Sequence, residues 1–169
     1  PNLNHTRECL AALEFLVVQD IFLTETAAFA DVVLPATAFP EKEGTYTNTD
    51  RRVQIGRKAI EPPVGVRTDW RIVAEMGTRM GYPMPYESAE EIFDEMAALT
   101  PSYAGIRYGR LKGHGVVWPC PTPDHPGTET LFTESFPTES GKGRLVPVKF
   151  VPAKELPDRR FPFVLNTGR

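Results

Sequence analysis

The sequence predicts an α/β fold organised around a parallel sheet, and three observations carry that expectation. Phe15 to Val18 is a continuous apolar run of β-type residues, Thr24 to Ala30 is short and alanine-rich, and Asp31-Val-Val-Leu-Pro35 is a second apolar run stopped by proline. Apolar residues at successive positions suit a strand buried on both faces, which is the condition of parallel sheets. Strand, helix and strand in that order make a compact βαβ unit, whose crossover is right-handed.

The remaining elements follow in chain order. Cys9, Leu10 and Leu13 fall at helical spacing within Thr6 to Leu13. Thr24 carries a hydroxyl suited to cap the crossover helix. Arg51 to Ile60 alternates loosely, as a hairpin arm does, before Pro62-Pro63 breaks the chain. Thr68 to Met80 places Ile72, Val73, Met76 and Met80 on one face and stops at Gly81, which predicts an amphipathic helix. Ser88 and Glu91 read as a capping box for a helix through Leu99, with Ile92, Phe93 and Met96 inward.

From Pro101 onward turn residues dominate, with a Trp118-Pro-Cys-Pro segment and extended stretches near Gly143 to Phe150 and Phe161 to Leu165. The 17 prolines are about twice the ~5% average usage and concentrate after Glu61, so the second half is expected to be loop-rich. A proline- and charge-rich linker over Pro152 to Arg160 suggests a boundary, giving domains of residues 1–152 and 153–169. There is no internal repeat.

Net charge is −3 with acids and bases interspersed, so no basic face argues for nucleic acid. The longest apolar run is far short of a membrane span, and no membrane contact is expected of this segment. Cys9 and Cys120 lack Cys-x-x-C spacing and read as buried thiols of a cytoplasmic-type composition rather than a disulfide or a metal site. His5, His114 and His125 share no ligand spacing, and no metal ligand is assigned. Neither a phosphate loop nor a Gly-x-Gly-x-x-Gly or Gly-x-Ser-x-Gly motif is present, which removes support from the common nucleotide-hydrolysing and hydrolase readings. Pro1 opens the chain inside what reads as a loop, and Phe161 to Arg169 is a strand that stops just after its turn, so both ends read as cuts in a longer protein.

In open α/β sheets ligands sit beyond the carboxyl ends of the strands, where Gln19 and Asp20 fall. Asp20 either accepts paired N–H bonds, as a guanine edge offers them, or caps the loop that follows. Lys42, in the loop after the second strand, is placed either to meet a ligand oxygen such as that of a phosphate as a point charge or to be solvated. Asp69 opens a helix, where the macrodipole favours an acid by roughly 0.3–1 kcal/mol with no ligand at all. Asn48, Asp50, Arg51, Arg52 and Gln54 form either an anion site or an ion-paired surface hairpin, and their spacing favours the hairpin.

The stretches Gln19-Asp20, Thr24-Glu-Thr-Ala, Ala30-Asp-Val-Val-Leu-Pro, Glu41-Lys-Glu-Gly, Asn48-Thr-Asp-Arg-Arg-Val-Gln, Glu61-Pro-Pro and Thr68-Asp-Trp resemble the molybdopterin oxidoreductases. Met80-Gly-Tyr-Pro, Trp118-Pro-Cys-Pro and Asn166-Thr-Gly-Arg169 extend the resemblance toward the formate dehydrogenase large subunit. It implies a fragment of a Rossmann-like parallel-sheet domain whose second half leads into a β-barrel-like C-terminal domain that this chain does not include. It also implies molybdenum or tungsten held between two molybdopterin guanine dinucleotides, with Gln19, Asp20, Lys42 and Asp69 matching cofactor contacts. Thr167, Gly168 and Arg169 match the start of a further cofactor-binding segment.

The same resemblance puts the metal-binding Cys or selenocysteine, the active-site His and Arg, and the iron–sulfur cysteines upstream of this chain. No catalytic residue is therefore assigned here, and the isolated fragment is expected to bind no molybdenum and to oxidise no formate. Its implied partners are the rest of the same large subunit and electron-transfer subunits. Two other readings compete: a nitrate reductase or the metal-free relative in a respiratory NADH dehydrogenase, and a non-catalytic binding module.

Overall fold

The structure is a computed structural model that describes residues 2–153 and 156–165. The chain divides into two units, Pro1–Glu129 and Thr130–Arg169. The first unit holds both parallel and antiparallel sheets, so the fold is mixed α/β.

Helix α1 runs over Leu3–Ala11 and starts earlier than its apolar spacing suggests, because Asn2 caps it by accepting from the His5 amide at 3.2 Å. It carries no buried residue, and Cys9, expected to be a buried thiol, is exposed. Strands β1 (Val17–Asp20) and β2 (Val32–Pro35) pair in parallel, with Val17 opposite Val32 and Asp20 opposite Pro35. The Asp31 carboxylate accepts from the Leu16 amide at 2.7 Å and fixes where β2 begins beside β1.

Two expectations for this unit need correcting. The crossover is not an α-helix: it is a turn leading into a 3₁₀ segment, Ala27–Phe29, with Thr24 Oγ1 accepting from the Ala27 amide at 3.3 Å. So short a stretch cannot sustain an α-helix without an apolar face to pack, and only Ala27 is buried in it. Nor are the strands buried on both faces, since Val17 is 36% and Val32 39% exposed. The apolar core lies elsewhere in the unit.

Past Pro35 the sheet gains a third segment. Ala36 bridges Arg67 in parallel, the Arg67 amide donates to Pro35 O at 3.3 Å, and the Thr37 amide donates to Arg67 O at 3.1 Å. The Ala36 amide meanwhile donates to Asp20 O at 3.1 Å, so β2 lies between β1 and the Arg67 segment.

A second sheet orders β3 (Gly44–Thr47), β4 (Arg52–Gly56) and β5 (Val116–Val117), all antiparallel. The dense polar set at 48–54 builds the β3–β4 turn, as the hairpin reading expects. Asn48 Oδ1 accepts from the Arg52 amide at 2.8 Å, and Arg51 takes φ of 67° to close the reversal. The Arg51 guanidinium then reaches inward, donating to Thr128 O at 2.9 Å, Glu129 O at 2.8 Å and Trp118 O.

Helix α2 spans Asp69–Arg79 and α3 spans Ala89–Leu99. On α2 the buried residues are Ile72 and Ala74, while Val73, Met76 and Met80 are exposed, so the expected inward stripe is mostly outward. Side-chain bonds at its first residue anchor this helix in place of that stripe. On α3 Ser88 Oγ accepts from the Glu91 amide at 3.2 Å, but the Glu91 carboxylate accepts from the Glu87 amide at 2.8 Å, one residue ahead of a reciprocal box. Phe93 and Ala97 face inward while Met96 is 39% exposed, because residues four apart share a helix face.

Phe93 and Ala97 join Val53, Ile106, Tyr108, Leu111, Val116 and Cys120 in the core, between α3 and the antiparallel sheet. The Phe93 and Tyr108 rings meet edge to face at 5.8 Å. Arg110 ties the proline-rich segment to this core, donating to Gly105 O at 2.6 Å, His125 O at 2.7 Å and Cys120 Sγ at 3.2 Å.

In the second unit Phe132 stacks on Phe136 at 4.9 Å, and the Asp158 carboxylate accepts from the Arg160 and Phe161 amides. No strand forms among its described residues, where the sequence leads one to expect extended pairing near Gly143 to Phe150 and Phe161 to Leu165.

Candidate functional site

Parallel strands deliver their carboxyl ends to one side of a sheet, and here three backbone segments do so together. β1 ends in Gln19 and Asp20, β2 continues into Ala36 and Thr37, and the Arg67 segment runs directly into Thr68 and Asp69 at the start of α2. Lys42 follows the 3₁₀ turn Phe39–Glu41, which the Glu41 carboxylate closes by accepting from the Ala38 amide at 2.8 Å.

Gln19, Lys42 and Asp69 converge. Gln19 Nε2 donates to Asp69 Oδ1 at 2.8 Å, and Lys42 Nζ donates to Asp69 Oδ2. Both oxygens of one carboxylate are thus satisfied by two different elements. Burial pushes the Asp69 carboxyl up, but the hydrogen bonds from Lys42 and Gln19 and the Lys42 charge outweigh it and hold the group below its ordinary value of 3.8. Asp20 stands apart from this set: its Oδ1 accepts from the Phe22 amide at 3.0 Å and orders the turn out of β1. Thr167, Gly168 and Arg169 lie outside the described residues.

Beside this cluster is a cavity of about 680 Å³, lined by the cations Lys42, Lys58, Arg67 and Arg71 and by the carboxylates Glu41, Glu43, Glu61 and Glu75, with Thr37, Thr68 and Trp70 among the rest. Arg67 pairs with Glu75, Lys58 pairs with Glu61 at 2.6 Å, and Arg71 lies over the Trp70 ring at 5.1 Å. Thr37 and Thr68 are among the lining residues, and the hydroxyl of each is shielded from solvent with no hydrogen-bond partner among the described residues. The sequence gives no sign of either, since an isolated threonine after a strand or before a helix reads as a cap. The Tyr108 hydroxyl is also unpartnered, but it belongs to the core, where burial and then the Glu43, Glu90 and Asp94 charges push it up to about 12.

Residues 1–79 match the family model described as molybdopterin oxidoreductase. The F420-dependent formate dehydrogenase subunit alpha of Methanocaldococcus jannaschii is 48% identical over 100% of this chain. The chain belongs to the molybdopterin oxidoreductase family. The assimilatory nitrate reductase catalytic subunit of Bacillus subtilis is 41% identical, also over 100% of the chain. Among solved structures the acetylene hydratase of Pelobacter acetylenicus superposes with a TM-score of 0.59 over 83% of this chain and 19% of its own, at 22% identity, and so shares the fold. The chain spans about a quarter of the length of the curated relatives it matches, 25% in both cases.

Membership of the molybdopterin oxidoreductases implies a pterin cofactor carrying molybdenum or tungsten. The residues present fit the polar rim of such a group: Gln19, Lys42 and Asp69 converge at the strand ends beside a cavity whose lining is rich in charged side chains. Among the described residues no group of three His, Cys, Asp or Glu side chains is placed to hold a metal ion, and no helix is long and apolar enough to cross a membrane.

Proposed function

We propose that this segment forms one wall of the cofactor cleft in a formate dehydrogenase large subunit, which oxidises formate to carbon dioxide by two electrons. The convergence of Gln19, Lys42 and Asp69 at the carboxyl ends of the parallel segments carries the reading. The cofactor in this reading is a molybdenum or tungsten bis-molybdopterin guanine dinucleotide, which supplies the redox chemistry when bound. The chain's own part is to hold and orient it. Asp69 and Asp20 would accept N–H bonds of a guanine edge, Lys42 would meet a phosphate or pterin oxygen, and Gln19 would fix the Asp69 carboxylate.

The wider reading places residues 1–152 in a Rossmann-like domain and 153–169 at the entry to a β-barrel-like domain. There Thr167, Gly168 and Arg169 begin a further cofactor-binding segment. The catalytic groups and the iron–sulfur cysteines come from elsewhere in the subunit, electrons leave to partner subunits or carriers, and the enzyme works in the cytoplasm. This segment touches neither nucleic acid nor membrane.

The test is the full-length polypeptide purified from its source cells, assayed for molybdenum and tungsten, for guanine nucleotide released on denaturation, and for formate-dependent dye reduction. Metal, nucleotide and reduction together support the reading; a metal-free product of about the size of this chain overturns it. The likeness to a nitrate reductase subunit keeps nitrate reduction as the second reading. Nitrate-dependent dye oxidation without formate activity would select it.

A further inference from the structure

We infer that His125 is a pH-sensitive latch: its neutral ring holds the strap of residues 125–129 against β5, and a proton on Nδ1 releases it. The inference does not depend on the cofactor-cleft reading.

The Gly127 amide donates to His125 Nδ1 at 3.0 Å. A backbone N–H can only donate, so Nδ1 is the bare nitrogen of a neutral imidazole whose proton is on Nε2. An imidazolium carries a proton on both nitrogens and has no lone pair to offer, so protonation sets a donor against the Gly127 donor. Histidine is the side chain type that takes up a proton in mild acid.

This bond holds a close-fitting segment. Gly127 takes φ of 100°, and a Cβ there would stand 2.7 Å from Val117 O, so the chain passes β5 with no room for a side chain. The next amide, of Thr128, donates to that same Val117 O at 3.1 Å, and Thr128 Oγ1 donates to Pro119 O at 2.8 Å. Pro126 has no N–H to give, which leaves the ring as the acceptor that fixes Gly127. Glu129, where the strap ends, is also the last residue of the first unit.

The charged and titratable side chains bonded to the strap meet its backbone and not the ring. Arg110 donates to His125 O at 2.7 Å, and the Cys120 thiol donates to the same oxygen at 3.3 Å. Arg51 donates to the Thr128 and Glu129 carbonyls. Asp124 and Glu129, on the strap and beside it, are exposed, and so is His114, two residues before β5. Among the described residues no carboxylate pairs with the His125 ring, so none stands ready to replace the Gly127 bond once the ring is charged.

The experiment is amide hydrogen exchange of the full-length subunit at about pH 7.5 and about pH 5.5, which bracket the ordinary histidine range. It is read on peptides covering 125–129 and corrected for the intrinsic pH dependence of exchange. In the parent, protection of Gly127 and Thr128 is expected to fall roughly three- to tenfold in acid, as loss of one hydrogen bond predicts. His125→Asn puts a non-titrating amide oxygen near the place of Nδ1, so its protection should match the parent at neutral pH and stay flat into acid. His125→Leu has no acceptor and should show the lowered protection at both values. An acid fall as large in His125→Asn as in the parent would assign the effect to another group, such as His114, and overturn the inference. Parent protection unchanged in acid would overturn it, and so would a leucine variant as protected as the parent at neutral pH. A fall shared equally by peptides of α3 would be general acid unfolding and would overturn a local latch as well.

Discussion

The Gln19 side-chain amide donates to Asp69 Oδ1 at 2.8 Å and joins the end of β1 to the start of α2. With Lys42 on the other oxygen, Asp69 becomes the hub through which the parallel strands, the loop after β2 and the helix are held together.

That arrangement sets a pH dependence. The folded-state Asp69 carboxyl is held below its ordinary value of 3.8, so its contribution is present above that value and is lost as pH falls through the lower, folded one. The pair is partly exposed, 25% at Lys42 and 44% at Asp69, so the contribution is small, about 1 kcal/mol or less. Lys42→Met should therefore lower stability slightly at neutral pH in urea titrations, with the difference from the parent closing below pH ~4. A gap that persists undiminished into acid would remove Asp69 as its source.

Arg51 is expected to matter more. Its guanidinium satisfies three backbone carbonyls from 118 to 129, and Arg51→Ala leaves them without that donor. A loss of about 2–3 kcal/mol is expected in denaturant unfolding. Arg51→Lys should recover only part of it, since an ammonium cannot span the fork.

Gly105 is expected to resist any side chain. A Cβ there would stand 2.0 Å from Thr122 O and 2.8 Å from Cys120 O, both backbone atoms that cannot swing aside. Gly105→Ala should cost 2 kcal/mol or more by overpacking, on the order seen for forced core substitutions. Gly109→Ala, which meets nothing within 4 Å, is the control and should stay near neutral. Equal melting temperatures for the two variants would contradict the packing described here.

The 169-residue chain by itself should bind no molybdenum and give no formate-dependent dye reduction, because it is assigned no catalytic residue. It should also self-associate in sedimentation velocity runs, since Phe15, Ile21, Phe22, Leu23 and Val32 are all exposed around the parallel pair. A well-behaved monomer would mean that those side chains are covered in solution.

Much of this was legible in the residues. The β1–β2 pair and its parallel sense follow from two apolar runs and a short linker, and the hairpin from the polar set at 48–54. Helix orientation was not legible: Met76 and Met80 have core-like spacing yet are exposed, because α2 is fixed by the Asp69 bonds at one end. The place of the core was hidden too, since β5 is only Val116–Val117 and is recruited by β4 from far along the chain. At the site, strand ends and helix starts marked Gln19, Asp20, Lys42 and Asp69 as candidates. That three of them would satisfy one another, with Asp20 ordering its own turn, depends on side-chain reach that spacing does not encode.

Because Asp69 already has both oxygens satisfied, that carboxylate needs no ligand to neutralise it. Folding therefore need not wait for the cofactor. In the cofactor-cleft reading proposed above, a polypeptide that balances this corner of its site would be able to fold first and take its cofactor last. Under the same reading, loading would be an exchange of partners at Lys42 and Asp69, driven by how much better the incoming group serves each of them than they serve one another.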